Sequence, residues 1–365
     1  MKQWVVLLFS VCLTLILKGQ KQYLLAGTYT ENSTSKGISV YRFDTLSGKA
    51  TAVSQFASIN PSYLALSKNG NYVYCVNESD PGKLSSYSFN SETGELSRIN
   101  TVSSNGSAPC YIEIDKTGNW LFCGNYSSGN LSVYPINKNG SIGDTKQVIH
   151  HEGSGPDKDR QEAPHVHSTV ISPDNKFLFV PDLGIDKVMI YPFDAATGRL
   201  SEAGKSFATV IPGGGPRHIV FSKNGKFAYL IEEMSGRISV FSYKKGKLSR
   251  VQTINKLPQG LAGAGADIHL SPDGKFLYAS QRSNSTIQIF RVRPKDGKIS
   301  FIESQSTLGN FPRNFTIHPT GNFLLAANQR SNDIRIFRIN KTTGLLTDTG
   351  HKILLDKPVC LKWNF

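Results

Sequence analysis

The strongest constraint in this sequence is a phrase that returns six times. It opens on proline or alanine, runs through an apolar stretch, turns at Asn-Gly, Asp-Gly or a close equivalent, and enters a second apolar stretch. It occupies Pro61 to Gly70, Pro109 to Gly118, Pro164 to Asn175, Pro216 to Gly225, Ala266 to Gly274 and Pro312 to Gly321. The turn residues 70, 118, 175, 225, 274 and 321 are spaced by 48, 57, 50, 49 and 47 residues. A fixed period near 50 identifies a repeat architecture, and alternating runs joined by such turns are hairpins.

Each unit continues alike. A third strand is expected over Leu84–Phe89, Leu131–Ile136, Lys187–Phe193, Arg237–Tyr243, Thr286–Val292 and Asp333–Ile339. A turn such as Thr93-Gly94, Thr197-Gly198 or Thr343-Gly344 then leads to a short fourth. Four antiparallel strands in about 50 residues make a β-propeller blade. The ends supply a seventh. Tyr23–Thr28, Gly37–Phe43 and Lys49–Val53 read as strands two to four of a blade without its first, and Lys357 to Trp363 reads as the missing strand. Joining them closes the ring and leaves no sheet edge open. The sequence therefore predicts an all-β, seven-bladed propeller closed by its C-terminal strand. No helical period or linker interrupts residues 21–365, which are expected to form one domain.

The N-terminus departs from this pattern. Met1-Lys2 precedes a largely apolar run from Trp4 to Leu17, followed by Lys18-Gly19-Gln20-Lys21. A positive start, a short apolar core and a polar exit describe a secretory signal peptide over residues 1–20, too short for a comfortable membrane span. The mature chain is thus expected to be exported, periplasmic or secreted, with no further span; the alternatives are a retained membrane anchor and, if the segment is not a signal peptide, a cytoplasmic protein. Its cysteines, Cys75, Cys110, Cys123 and Cys360, lack CxxC spacing and lie in apolar runs, which predicts buried free thiols. The net charge of +14 is scattered, with no Lys/Arg block, so nucleic acid is not an expected partner.

Strand order sorts the reactive residues. The first strand of a blade lines the channel and the second runs antiparallel, so the start of one and the end of the other lie on the same face of the disc. Eight residues before each turn stand Ser62, Cys110, His167, Arg217, Ala266 and Arg313; eight after stand Glu78, Tyr126, Leu183, Glu233, Arg282 and Gln329. Two rings at one channel mouth thus gather His167, Arg217, Glu233, Arg282 and Arg313. A carboxylate and an imidazole can move protons, and arginines hold anions and developing oxyanions. The structural alternative is that Glu233 pairs with an arginine and stiffens the channel.

Other features carry less. His165 and His167 form an HxH pair, but no third metal ligand is apparent, and no metal is expected. His150-His151 opens an insertion, Ile149 to Ala163, read as a solvated loop, with a lid as the alternative. His218, Asp267 and Asn314 share the next position along strand one and read as buried groups that hold blades together.

The segments Pro164 to Asp174, Gly215 to Phe221, Ala266 to Gly274 and Phe311 to Phe315, with Gly27-Thr-Tyr-Thr30 and Gly37 to Tyr41, resemble those of the propeller-type 6-phosphogluconolactonases. The resemblance covers essentially the whole mature chain. It implies lactone hydrolysis without a metal or cofactor, acting on a small anionic lactone, with 6-phosphoglucono-1,5-lactone as the family default. In the related carboxy-muconate lactonising enzymes a His, two Arg and a Glu form the site; here His167, Arg217, Arg282 and Glu233 match them. His167, Glu233 and Arg217 are expected to be catalytic, with Glu233 or His167 activating water; Arg282, Arg313 and His165 are expected to bind substrate. The alternatives are a muconate-type cycloisomerase and a non-enzymatic exported propeller that binds an anionic sugar or a protein. Export departs from the family pattern, because a phosphorylated sugar lactone is a cytosolic metabolite.

Overall fold

The computed structural model describes residues 22–254 and 264–364. Its strands form seven antiparallel sheets arranged as blades. Six blades follow chain order. Blade one, for example, pairs Leu64–Leu66, Tyr72–Asn77, Lys83–Asn90 and Glu95–Ser103. Blade four pairs Pro216–Phe221, Phe227–Glu232, Ile238–Lys244 and Lys247–Ile254. In blade three the edge is split, Arg199–Leu200 and Ser206–Thr209 both pairing with Lys187–Asp194. The seventh blade is the expected closure: Pro358–Asn364 lies innermost, against Tyr23–Thr28, then Gly37–Phe43 and Ala50–Ala57. The expected leader, residues 1–20, lies outside the described residues.

Blades are held face to face by apolar side chains from adjacent sheets and by one contact that recurs at every junction. The glycine of each turn between strands three and four takes positive φ and faces the aromatic ring that opens strand two of the preceding blade. Gly94 faces Tyr23, Gly140 faces Tyr72, Gly198 faces Trp120 and Gly246 faces Phe177. Gly297 on Phe227, Gly344 on Phe276 and Gly48 on Phe323 complete the circle. A Cβ on Gly198 would stand 2.2 Å from the Trp120 ring, so only glycine fits. The expected free cysteines are all buried thiols.

The inner strands are not uniformly paired. Register shifts separate Pro109 from Tyr111, Pro216 from His218, Gly265 from Ile268 and Pro312 from Asn314. Each is a bulge at the channel-mouth end of a first strand. A bulge leaves its extra residue out of the ladder and re-aims its side chain. The residues so released are Cys110, Arg217, Ala266 with Asp267, and Arg313.

Candidate active site

The bulges turn the first ring into the channel, and the ends of the second strands bring the other ring to meet it. Glu233 directly follows Phe227–Glu232, and its N–H donates to Gly215 O at 2.6 Å. Its carboxylate is the centre of the site. Oε2 accepts from Arg217 Nε at 3.0 Å and lies 3.1 Å from Arg282 Nη2 and 3.5 Å from His167 Nε2. Oε1 accepts from Arg160 Nη2 at 2.7 Å. The neighbouring acid points elsewhere: Glu232 binds Ser235, Ser239 and Arg237 inside its own blade.

The electrostatics follow from this crowding. Burial alone pushes the Glu233 carboxyl up, but His167, Arg282 and Arg217 outweigh it and hold it well below the usual carboxylate range. Burial and the Arg217 charge push His167 well below an ordinary imidazole, so it stays neutral. A neutral ring that gives Nε2–H to Glu233 keeps its lone pair on Nδ1, which faces the Cys110 thiol at 3.8 Å. Burial and the neighbouring Arg217 and Arg313 lower Arg282 to about 10 even against the pull of Glu233. One carboxylate thus serves three guanidinium groups, and the mouth keeps a surplus of positive charge.

Behind Arg217 stands a polar relay. Arg217 Nη1 donates to Ala266 O and lies 3.3 Å from His218 Nε2. His218 Nδ1 lies 2.8 Å from Asp267 Oδ1, and Asp267 Oδ2 meets His269 Nε2 at 2.9 Å and Asn314 Nδ2 at 2.5 Å. Asn314 Oδ1 in turn accepts from Leu361 N at 2.7 Å. These residues tie blades four, five, six and seven together, as expected for buried hydrogen-bonding groups.

Arg313 lies on the far side of the same mouth. Its guanidinium sits 5.4 Å from the centre of the Tyr29 ring, whose hydroxyl donates to both oxygens of Glu78 at 3.0 Å. Among the described residues Arg313 makes no hydrogen bond or ion pair of its own. It lines a cavity of about 10 Å³, on the scale of one water, with Ser62, Glu78, Cys110, His167 and Arg217. The Ser62 Oγ is buried without a partner.

A model of the seven-bladed β-propeller lactonases matches residues 23–363. The chain belongs to this lactonase family. Relatives of this propeller lactonase include a 6-phosphogluconolactonase from Bacillus subtilis, 34% identical over 92% of this chain and 97% of that one. Another, from Formosa agariphila, is 38% identical over 80% and 86% of the two chains. The solved structure of a periplasmic gluconolactonase from Pseudomonas aeruginosa superposes with a TM-score of 0.89 at 36% identity, over 94% of this chain and 99% of that one.

Within the lactonase, His167, Glu233, Arg217 and Arg282 converge, and Arg313 shares a cavity with two of them. His165 does not join them. Its ring stacks on Tyr126 at 4.5 Å, its Nδ1 lies 3.0 Å from Tyr126 O and its Nε2 meets Glu162 at 3.3 Å. The insertion from Ile149 to Ala163 is only partly the solvated loop expected. His151 is buried with Nδ1 2.6 Å from Asp182, and the fully buried Gln161 donates to Leu183 O. That docking carries Arg160 onto Glu233 and, at 3.2 Å, onto the Tyr126 hydroxyl. Arg160 went unrecognised in the sequence because it belongs to no repeat position. No helix among the described residues is long and apolar enough to cross a membrane.

Proposed function

We propose that this lactonase hydrolyses a sugar-acid lactone at the mouth centred on Glu233. The observation that carries the proposal is the ratio of charges: Arg160, Arg217 and Arg282 surround one carboxylate, beside an imidazole held neutral. Such a mouth attracts an anionic ligand and stabilises negative charge as it forms.

His167 is the general base in this reading. Glu233 has both oxygens engaged by cations and is a poor proton acceptor, whereas Glu233 orients the His167 ring and leaves Nδ1 basic. Water in the cavity beside His167 attacks the lactone carbonyl carbon as its proton passes to Nδ1. The carbonyl oxygen becomes an oxyanion held by Arg217 and Arg282. Collapse breaks the ring C–O bond, and the imidazolium returns its proton to the departing alkoxide. The product is an open hydroxy acid. Arg313, whose guanidinium makes no hydrogen bond or ion pair among the described residues, holds a polar or charged group elsewhere on the substrate.

The relatives from B. subtilis and F. agariphila support 6-phosphoglucono-1,5-lactone as substrate. The expected leader and the periplasmic relative support export and an unphosphorylated gluconolactone. A hydrolysis panel of both lactones, run on protein starting near Lys21, separates them. Absence of turnover above the spontaneous rate on every lactone would overturn the assignment.

A further inference from the structure

The larger opening of the channel is on the opposite face. There the far ends of the inner strands surround a funnel of about 720 Å³, within the range of small-molecule sites. Tyr63 and His218 line both this funnel and the small cavity beside His167, and so form the partition between them.

The funnel wall is built for a ligand of one sign. Its acids are Asp267 and Glu113. Asp267 is saturated by His218, His269, Asn314 and the N–H groups of Ile268 and Phe315. Glu113 accepts from Ile171 N at 3.3 Å. Against them stand Lys116, Lys223 and Lys362. Lys116 and Lys223 are exposed where inner strands leave the channel, and Lys362 Nζ lies 4.4 Å above the Tyr63 ring. Tyr63 itself stacks on Tyr111 with centroids 4.2 Å apart, giving the funnel a flat aromatic wall.

We infer that this funnel is a second binding site, separate from the catalytic mouth, for a sugar-sized anion bearing a carboxylate or phosphate. The three lysines supply the charge recognition, and the partly exposed Tyr111 ring, held by its stack on Tyr63, supplies apolar surface for the carbon skeleton. The anion lies against His218, whose other edge meets Arg217, so one side chain borders both sites.

The test is calorimetric titration of the full mature protein with D-gluconate and, separately, with inorganic phosphate. Arg217→Ala weakens the catalytic mouth, and Lys223→Glu with Lys362→Met weakens the funnel; Lys223→Glu alone, on an exposed turn, guards against misfolding. Binding by Arg217→Ala protein that weakens about tenfold or more once Lys223→Glu is added supports the site. Gluconate binding without phosphate binding assigns a carboxylate, and the reverse assigns a phosphate. Unchanged affinity in both lysine variants, loss of all binding in Arg217→Ala, or no saturable binding of either anion overturns it. These titrations need no turnover, so their result stands whether or not the lactone panel succeeds.

Discussion

His218 presents Nε2 to Arg217 Nη1 at 3.3 Å while Asp267 grips its opposite nitrogen at 2.8 Å. The carboxylate fixes the proton on Nδ1, so Nε2 is left as an acceptor for the guanidinium. Burial and the Arg217 charge push this histidine down to about 4, which keeps it neutral in that role. In the proposed mechanism His218 is a positioning residue that acts on the reaction through Arg217. Replacing it with leucine is expected to lower kcat on the order of 10- to 100-fold, with a smaller change in KM, through misplacement of the arginine. Glutamine, which can still offer an acceptor, is expected to restore part of the rate. Equal losses in His218→Leu and His218→Gln would argue for a merely structural role.

Glu233→Gln keeps the shape of the central side chain and removes its charge. Three guanidinium groups then face each other without a counter-charge, and His167 loses its orienting partner. Turnover is expected to fall roughly 10²–10⁴-fold, as is typical when acid–base machinery is lost. Arg217→Ala is expected to cost about 10²–10³-fold, the usual loss for one oxyanion donor. Steady-state hydrolysis of gluconolactone, corrected for spontaneous opening, reads both; wild-type rates in either variant contradict the site.

Arg160 contacts Glu233 from the insertion, with its side chain still 46% exposed. It closes the mouth rather than supporting it from below. Arg160→Ala is expected to raise KM several-fold more than it lowers kcat. A fall confined to kcat would move Arg160 into the chemical step.

Acid should unfold this propeller early. His218 and His318 are pushed down to about 4 by burial, and His167 is held well below 6.5. The unfolded chain takes up protons between about 6.5 and 4 that the folded chain refuses. The stability these histidines confer is complete above 6.5 and is lost as pH falls toward 4. His218 alone accounts for roughly 3 kcal/mol at pH 4, since each tenfold difference in proton affinity between folded and unfolded chain is worth about 1.4 kcal/mol. Urea midpoints should stay level from pH 7.5 to about 6.5 and fall from there to 4.5; a flat profile throughout would refute neutral burial.

Two glycines test the junction between blades. Gly118 and Gly198 both have positive φ, +79° and +74°, but a Cβ on Gly118 meets nothing within 4 Å. Gly118→Ala is expected to cost about 1–2 kcal/mol for backbone conformation alone. Gly198→Ala must also displace the Trp120 ring, and is expected to cost roughly 1–3 kcal/mol more. Thermal or urea unfolding of the pair compares them directly.

The fold was legible because a propeller writes its period into the chain. The recurring turns at Gly70 through Gly321 and the leftover strand at Pro358 specified blade number and closure. The mouth was legible for the same reason: His167, Arg217, Glu233 and Arg282 occupy repeat-equivalent positions, and equivalent positions share a face. What escaped lies outside the period. Arg160 and His151 depend on how one insertion packs against Asp182 and Leu183, contacts that no spacing encodes. The bulges that release Arg217 and Arg313 change local pairing without changing the residue pattern. The partner of each turn glycine belongs to the preceding blade, so the turn was visible but its ring was not.

The closing sheet also sets an order of events. Its innermost strand, Pro358–Asn364, pairs with Tyr23–Thr28, joining Tyr23 to Asn364. A chain made from its N-terminus must synthesise every other blade before this one can be completed. Until Pro358–Asn364 emerges, Tyr23–Thr28 has an unpaired side and the circle has a gap. Ring completion thus waits on Pro358–Asn364, after all six other blades have been made.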